Sequence, residues 1–148
     1  MSELSKPIKG FRDYYRFLSN FWYADIKYGE VTFPTTEHAY QAAKSNDPLD
    51  WYVILSCRTP GEAKMKGKSL PIRDDWEAIK VDVMYQINVK KYEYPELRKK
   101  LLDTGDAELV EENSWGDVFW GMCNGKGENY LGKILMRIRH EIRLGVIP

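Results

Sequence analysis

The spacing of hydrophobic positions changes several times along this chain, and each change predicts an element. From Ala24 to Phe33 apolar and polar residues alternate about Gly29-Glu30, a Gly-X pair suited to a two-residue hairpin loop. Pairing Tyr28 with Val31 and Ile26 with Phe33 gathers the apolar side chains on one face. A helix is expected from about Thr36 to Lys44, stopped by Asn46-Asp47-Pro48, with a second apolar piece at 51–55. Thr59-Pro60-Gly61-Glu62 fits a capping box, with Thr as N-cap, Pro at N1 and Glu at N3, opening a short helix that ends near Gly67.

Downstream the period settles at 3.6. Asp74 or Asp75 is placed to cap a helix whose inner stripe is Trp76, Ile79, Val83 and Ile87. Pro95 starts another, carrying Leu97 and Leu101 and closing at Gly105. The last shows Leu131, Ile134, Leu135, Ile138 and Ile142 on one stripe. Residues 103–130 between them are rich in Gly, Asn and Asp and read as loops, and residues 1–9 as loosely ordered. The expected fold class is α+β, predominantly helical, a single compact domain over residues 1–148 with a small β-hairpin element.

Composition narrows the function classes. The 148 residues suffice for one self-sufficient core. Twenty-two basic residues balance 22 acidic ones, which argues against a generic nucleic-acid binder. No apolar run approaches the ~18 residues a bilayer span needs. Cys57 and Cys123 are far apart with no secretory leader before them, so reduced thiols in a cytoplasmic protein are expected. Aromatics reach 14 %, with five Trp and ten Tyr, more than one small core needs; some are expected to line a surface that stacks flat ligands.

Candidate chemistry concentrates in two places. Glu37, Gln41 and Lys44 fall at i, i+4 and i+7, so an acid, an amide and an amine share one helix face. The Glu37 carboxylate in a first turn meets the positive end of the helix dipole, where it suits activating water or stabilising a developing cation; the alternative is simple capping on an exposed turn. Lys44 suits a phosphate, an indirect partnership with Glu37, or attack on a sugar aldehyde if kept neutral. The second place runs from Asn113 to Gly121, with Trp115, Asp117 and Trp120, followed by a Gly-rich stretch to Tyr130. It describes either a rim for a planar ring with a second carboxylate, or a tight loop in which Asp117 caps amides and both Trp enter the core. Arg58, Lys64, Lys66, Lys68 and Arg73 crowd one stretch that either receives phosphate or forms a solvated face. His38 and His140 are the only histidines, and His140-Glu141 lacks a second His one turn on. No metal is therefore expected, and with no Walker loop or dinucleotide fingerprint, no cofactor either.

These blocks in this order resemble the NADAR (NAD and ADP-ribose) superfamily, which includes the YbiA-like N-glycosidases. The resemblance runs from about Phe17 to Arg143. It is carried by Phe17-Leu18-Ser19-Asn20-Phe21, by Glu37-His38 with Gln41-Ala42 and Lys44, and by Ala63-Lys64 with Gly67-Lys68. Further on it is carried by Asp117 with Trp120-Gly121 and by Gly127-Glu128-Asn129-Tyr130-Leu131-Gly132. The loop 112–116, containing Trp115, departs from the shorter turn of the family. The resemblance implies hydrolysis of a carbon–nitrogen glycosidic bond at a ribose, in pyrimidine intermediates of riboflavin synthesis or in ADP-ribosylated guanine, within nucleic acid or free. Glu37 and Asp117 would be the carboxylates at the ribose, and Lys44 would take an amine or phosphate role. Asn20, Phe21, Tyr40, Trp115, Trp120, Gly121, Asn129, Lys64 and Lys68 would contact substrate. A non-catalytic module that binds ADP-ribose or NAD-derived metabolites is the competing expectation, with a structural partner protein as the third.

Overall fold

The alternation between Ala24 and Phe33 becomes a hairpin with the expected register. The computed structural model describes residues 6–147. Along it run β1 (Ile8–Lys9), a 3-10 turn (Asp13–Leu18), β2 (Tyr23–Tyr28), β3 (Val31–Thr35), α1 (Thr36–Ala43), α2 (Pro48–Leu55) and α3 (Pro60–Gly67). Then follow α4 (Trp76–Lys91), α5 (Pro95–Asp103), β4 (Leu109–Val110), β5 (Glu112–Asn113), β6 (Met122–Cys123) and α6 (Tyr130–Leu144). The class is α+β with helix predominating, and the chain divides into two compact units, residues 20–91 and residues 1–19 with 92–148.

In the unit formed by residues 20–91, β2 and β3 pair antiparallel with Tyr28 opposite Val31 and Ile26 opposite Phe33. Gly29 takes φ +60° in the turn, a left-handed conformation that glycine adopts without a steric penalty. The helix starts follow the caps. Thr35 Oγ1 accepts from His38 N (3.1 Å), Asp47 Oδ1 from Leu49 N (3.0 Å) ahead of Pro48, and Thr59 Oγ1 from Glu62 N (3.1 Å). In return Glu62 Oε2 accepts from Arg58 N (2.8 Å), one residue before the cap. At α4 the Asp75 carboxylate pairs with Arg73 (Nε–Oδ1 2.6 Å), while its backbone carbonyl accepts from Ala78 and Ile79. Helix α1 lies at the centre of this unit, packed on α2, α3, α4 and both hairpin strands. All eight of its residues are buried, the polar ones included.

The other unit carries the corrections. Ile8–Lys9 are not loosely ordered: they pair parallel with Leu109–Val110 as β1 and β4. Lys6 and Pro7 precede this strand, and residues 1–5, the rest of the segment expected to be loose, lie outside the described residues. The stretch read as loop between 103 and 130 contains three two-residue strands, with β5 parallel to β6. Two-residue strands are too short to show an alternation, which is why the pattern of the chain hides them. Helix α6 packs on β4, and Leu131, Leu135 and Ile138 of its stripe are buried with Leu101 and Leu109.

Candidate active site

The hairpin delivers the chain to α1 at Thr35, and the next turn buries a carboxylate. Glu37 is only 8 % exposed, so the reading of an exposed capping acid does not hold; Thr35 is the cap. Glu37 N donates to Asn20 O (3.0 Å), and Gln41 Nε2, one turn on, donates to Glu37 Oε2 at 2.6 Å. His38 is fully buried beside it, with Nδ1 2.7 Å from Thr35 Oγ1 and Nε2 3.0 Å from the Cys57 carbonyl. A carbonyl only accepts, so Nε2 carries the proton and Nδ1 receives the Thr35 hydroxyl. Burial holds the His38 pKa below its usual value, against the opposing pull of the Cys57 carbonyl and Glu62.

Lys44 closes the face. Burial pushes its pKa down, helped by Lys64, Lys80 and Lys68 and opposed by the negative charge of Glu37. Its Nζ lies 5.5 Å from the centre of the Tyr40 ring, and Tyr40 packs on Trp76 at 5.2 Å between centroids. Lys80, which also pairs with Glu77 at 2.6 Å, joins the basic group although it stands outside the basic run read from the sequence. Only the packing of α4 on α1 brings it there. Lys64 is half-buried and Lys68 exposed. Asn20 is buried, with Nδ2 3.4 Å from Met84 Sδ, and Phe21 is half-buried. Asn20 Oδ1, Thr36 Oγ1 and Gln41 Oε1 are buried with no hydrogen-bond partner among the described residues. Thus Asn20, Glu37, Gln41 and Lys44, with Lys64, Lys68 and Lys80, belong to one unit and converge on α1.

In the other unit the Asp117 loop is braced from within. Asn113 Oδ1 accepts from Asp117 N (3.0 Å) and Asn113 Nδ2 donates to Asp117 O (2.9 Å). Asp117 Oδ1 accepts from both Phe119 N (3.1 Å) and Trp120 N (2.9 Å), so the carboxylate does cap amides. The alternative that both Trp enter the core fails for Trp115, which is 62 % exposed; Trp120 is half-buried, edge-on to Phe119 at 4.8 Å. A methyl group at Gly121 would overlap the carbonyl and carboxylate of Glu111, so only glycine fits this backbone approach. Asn129, expected to contact substrate, commits both ends of its amide to the backbone, Nδ2 to Leu109 O and Oδ1 from Glu111 N, each at 2.9 Å.

Among the described residues, no three His, Cys, Asp or Glu side chains are grouped to hold a metal ion. No helix among them is long and apolar enough to cross a membrane. Cys57 and Cys123 are free and half-buried.

A family model described as NADAR domain matches residues 8–143. An N-glycosidase of Nostoc punctiforme is 40 % identical over 136 residues, covering 87 % of this chain and 86 % of that protein. The chloroplastic riboflavin biosynthesis protein PYRR of Zea mays is 40 % identical over 131 residues, covering 79 % of this chain but 21 % of that longer protein. The NMR structure of the E. coli protein YbiA superposes with a TM-score of 0.86 at 35 % identity, covering 98 % of this chain and 89 % of that one.

Proposed function

This chain belongs to the NADAR domain family, and on that premise we propose that it hydrolyses the carbon–nitrogen glycosidic bond of a ribosylated base. The substrate class is a ribosylamino-pyrimidine phosphate of riboflavin synthesis or an ADP-ribosylated guanine. A relative named for riboflavin biosynthesis supports the first of these, and a relative named N-glycosidase supports the kind of bond cleaved in either. The family match spans both compact units, which supports treating residues 1–148 as one functional domain.

The observation that carries the proposal is the buried Glu37 carboxylate held by Gln41. Cleaving the bond leaves positive charge on the ribose ring, an oxocarbenium-like state, and a fixed carboxylate in a poorly solvated place stabilises it far better than water does. Asp117 is assigned the second carboxylate's role, orienting or deprotonating the attacking water. Asn20, whose backbone oxygen accepts from Glu37 N, is assigned to shaping the pocket beside α1. Lys44, Lys64, Lys68 and Lys80 form the basic group suited to the substrate's phosphate. Trp115 or Trp120 is assigned to stacking the departing base. Reduced thiols at Cys57 and Cys123 suit a cytoplasmic setting.

Lys44 supports one variant of the chemistry, because burial lowers its pKa toward the neutral amine that attacks carbonyl carbon. In it the ribose ring opens with C1 still doubly bonded to the base nitrogen, the amine adds to C1 and expels the base as its free amine to leave a Lys44 imine, and water then hydrolyses that imine to release the sugar as its aldehyde. Borohydride added during turnover would leave a covalent adduct on Lys44 in this variant and none in direct hydrolysis.

The test is incubation with a panel of ribosylated compounds, followed by mass spectrometry for released base or ribose. Turnover lost in Glu37→Gln with ligand binding retained is the expected result. Tight ADP-ribose binding with no turnover of any panel member would replace the proposal with a binding module.

A further inference from the structure

The Gln41 amide is anchored at one end and cradled at the other. Its Nε2 donates to Glu37 Oε2 at 2.6 Å, while its Oε1 is buried with no hydrogen-bond partner. What the Oε1 end meets is the last residue of α3. A methyl group at Gly67 would overlap Gln41 Oε1 and stand 2.7 Å from Cδ and 3.2 Å from Cγ.

Backbone conformation does not call for glycine at this position. Gly67 is helical and is not among the residues with positive φ, so any L-residue fits its dihedrals. Glycine is also among the poorest helix formers. What Gly67 uniquely supplies is space, and the group filling that space is the one that grips Glu37. The amide cannot be reversed, because its oxygen would then face a carboxylate oxygen at hydrogen-bond distance. A shift of the amide off this seat moves Nε2 relative to Glu37 Oε2.

We infer that Gly67 and Gln41 act together as positioning residues for Glu37: the bare α-carbon seats the amide, and the seated amide fixes the carboxylate. The chain of dependence is Gly67 to Gln41 to Glu37, and it crosses from α3 to α1. It rests on the reading of Glu37 as the catalytic carboxylate, since only then does the fixation affect a rate.

Four variants test it: Glu37→Gln, Gln41→Met, Gly67→Ala and the Gln41→Met/Gly67→Ala pair, on the panel compound that the wild-type protein hydrolyses. Gln41→Met and Gly67→Ala should each lower kcat about 10- to 100-fold, as a misplacement near 1 Å does, with KM changed less than about 3-fold. The pair should be no slower than the slower single variant, because both act through one amide. Wild-type kcat in a folded Gln41→Met or Gly67→Ala protein, or multiplying losses in the pair, overturns the inference. Gln41→Met, close to the native side chain in volume, carries the kinetic test if Gly67→Ala does not fold. Full activity in Glu37→Gln would end the catalytic reading by itself. The seating would then be read by NMR, from the Gln41 side-chain NH2 resonance identified by its absence in Gln41→Met. That resonance should move in Gly67→Ala, and an unmoved signal overturns the seating as well.

Discussion

His38 Nε2 stands 3.0 Å from the Cys57 carbonyl, so a fully buried imidazole ties the first turn of α1 to the residues just ahead of α3. The same ring receives the Thr35 hydroxyl on Nδ1, and the Thr35 Oγ1 in turn accepts from His38 N. Protonation would make Nδ1 a second donor pointed at an oxygen already in use as an acceptor. The neutral ring is therefore part of how Glu37 is presented.

Acid sensitivity follows. The folded pKa of His38 lies below the usual 6.5, so the unfolded chain takes up the proton first as pH falls. The stability from the neutral ring is complete above about pH 6.5 and is lost as pH drops from there through the folded pKa. Thermal midpoints measured from pH 7.5 to 5 should fall in the wild-type protein and fall less steeply in His38→Gln. Identical slopes would show that His38 is not the group responsible.

Lys91 gives the opposite end of the pH scale a comparable signature. It is fully buried at the end of α4, and burial lowers its pKa from 10.5 to about 7. Between those values the unfolded chain holds a proton that the folded one has released, so stability rises with pH through this window and is level below it. The rise is on the order of a few kcal/mol. Tyr92 and Tyr28, whose pKa values burial raises, favour unfolding above about pH 10, so the clean range ends near 9.5. Denaturant midpoints should climb from pH 7 to 9.5 and should be flatter in Lys91→Met; an equal climb in both removes Lys91 from the account.

The legibility of the chain differs sharply between local and packed features. The hairpin register and the Thr59 cap could be read because both depend on residues within a few positions of each other. The polar stripe of Glu37 and Gln41 was visible in the spacing, but its burial was not, since periodicity gives a face without saying what covers it. Lys80 was invisible as a neighbour of Lys44 because its approach depends on α4 packing against α1. The Asn113 brace on Asp117 lay in plain view as a four-residue spacing in a loop. Nothing in that spacing distinguishes a brace from a binding rim. Parallel pairing of β1 with β4 joins residues about a hundred positions apart, which a local pattern does not encode.

Asp117 separates bracing from chemistry. Alanine at this position removes the acceptor for Phe119 N and Trp120 N and should cost about 1–2 kcal/mol, a few degrees in Tm for a chain this size. Asparagine keeps an oxygen for both amides while removing the charge. Asp117→Asn should therefore melt close to wild type by calorimetry. If its kcat still falls about 100-fold, the charge acts in the reaction; wild-type kcat would reduce Asp117 to a brace.

The basic group should reveal itself through substrate charge. Lys64 and Lys68 lie among the cations that depress the Lys44 pKa, an arrangement whose mutual repulsion an anion relieves. Replacing both with Ala removes two cations from that group while leaving Glu37 and Gln41 untouched. KM for a phosphorylated substrate should rise about 10-fold, kcat should change little, and the KM of the wild-type protein should rise with ionic strength as screening weakens the attraction. The same variant should treat the dephosphorylated substrate almost as the wild type does. Steady-state kinetics on the matched pair of substrates decides it: an equal KM increase for both would mean that these lysines serve the fold of α3, and that the phosphate is held elsewhere.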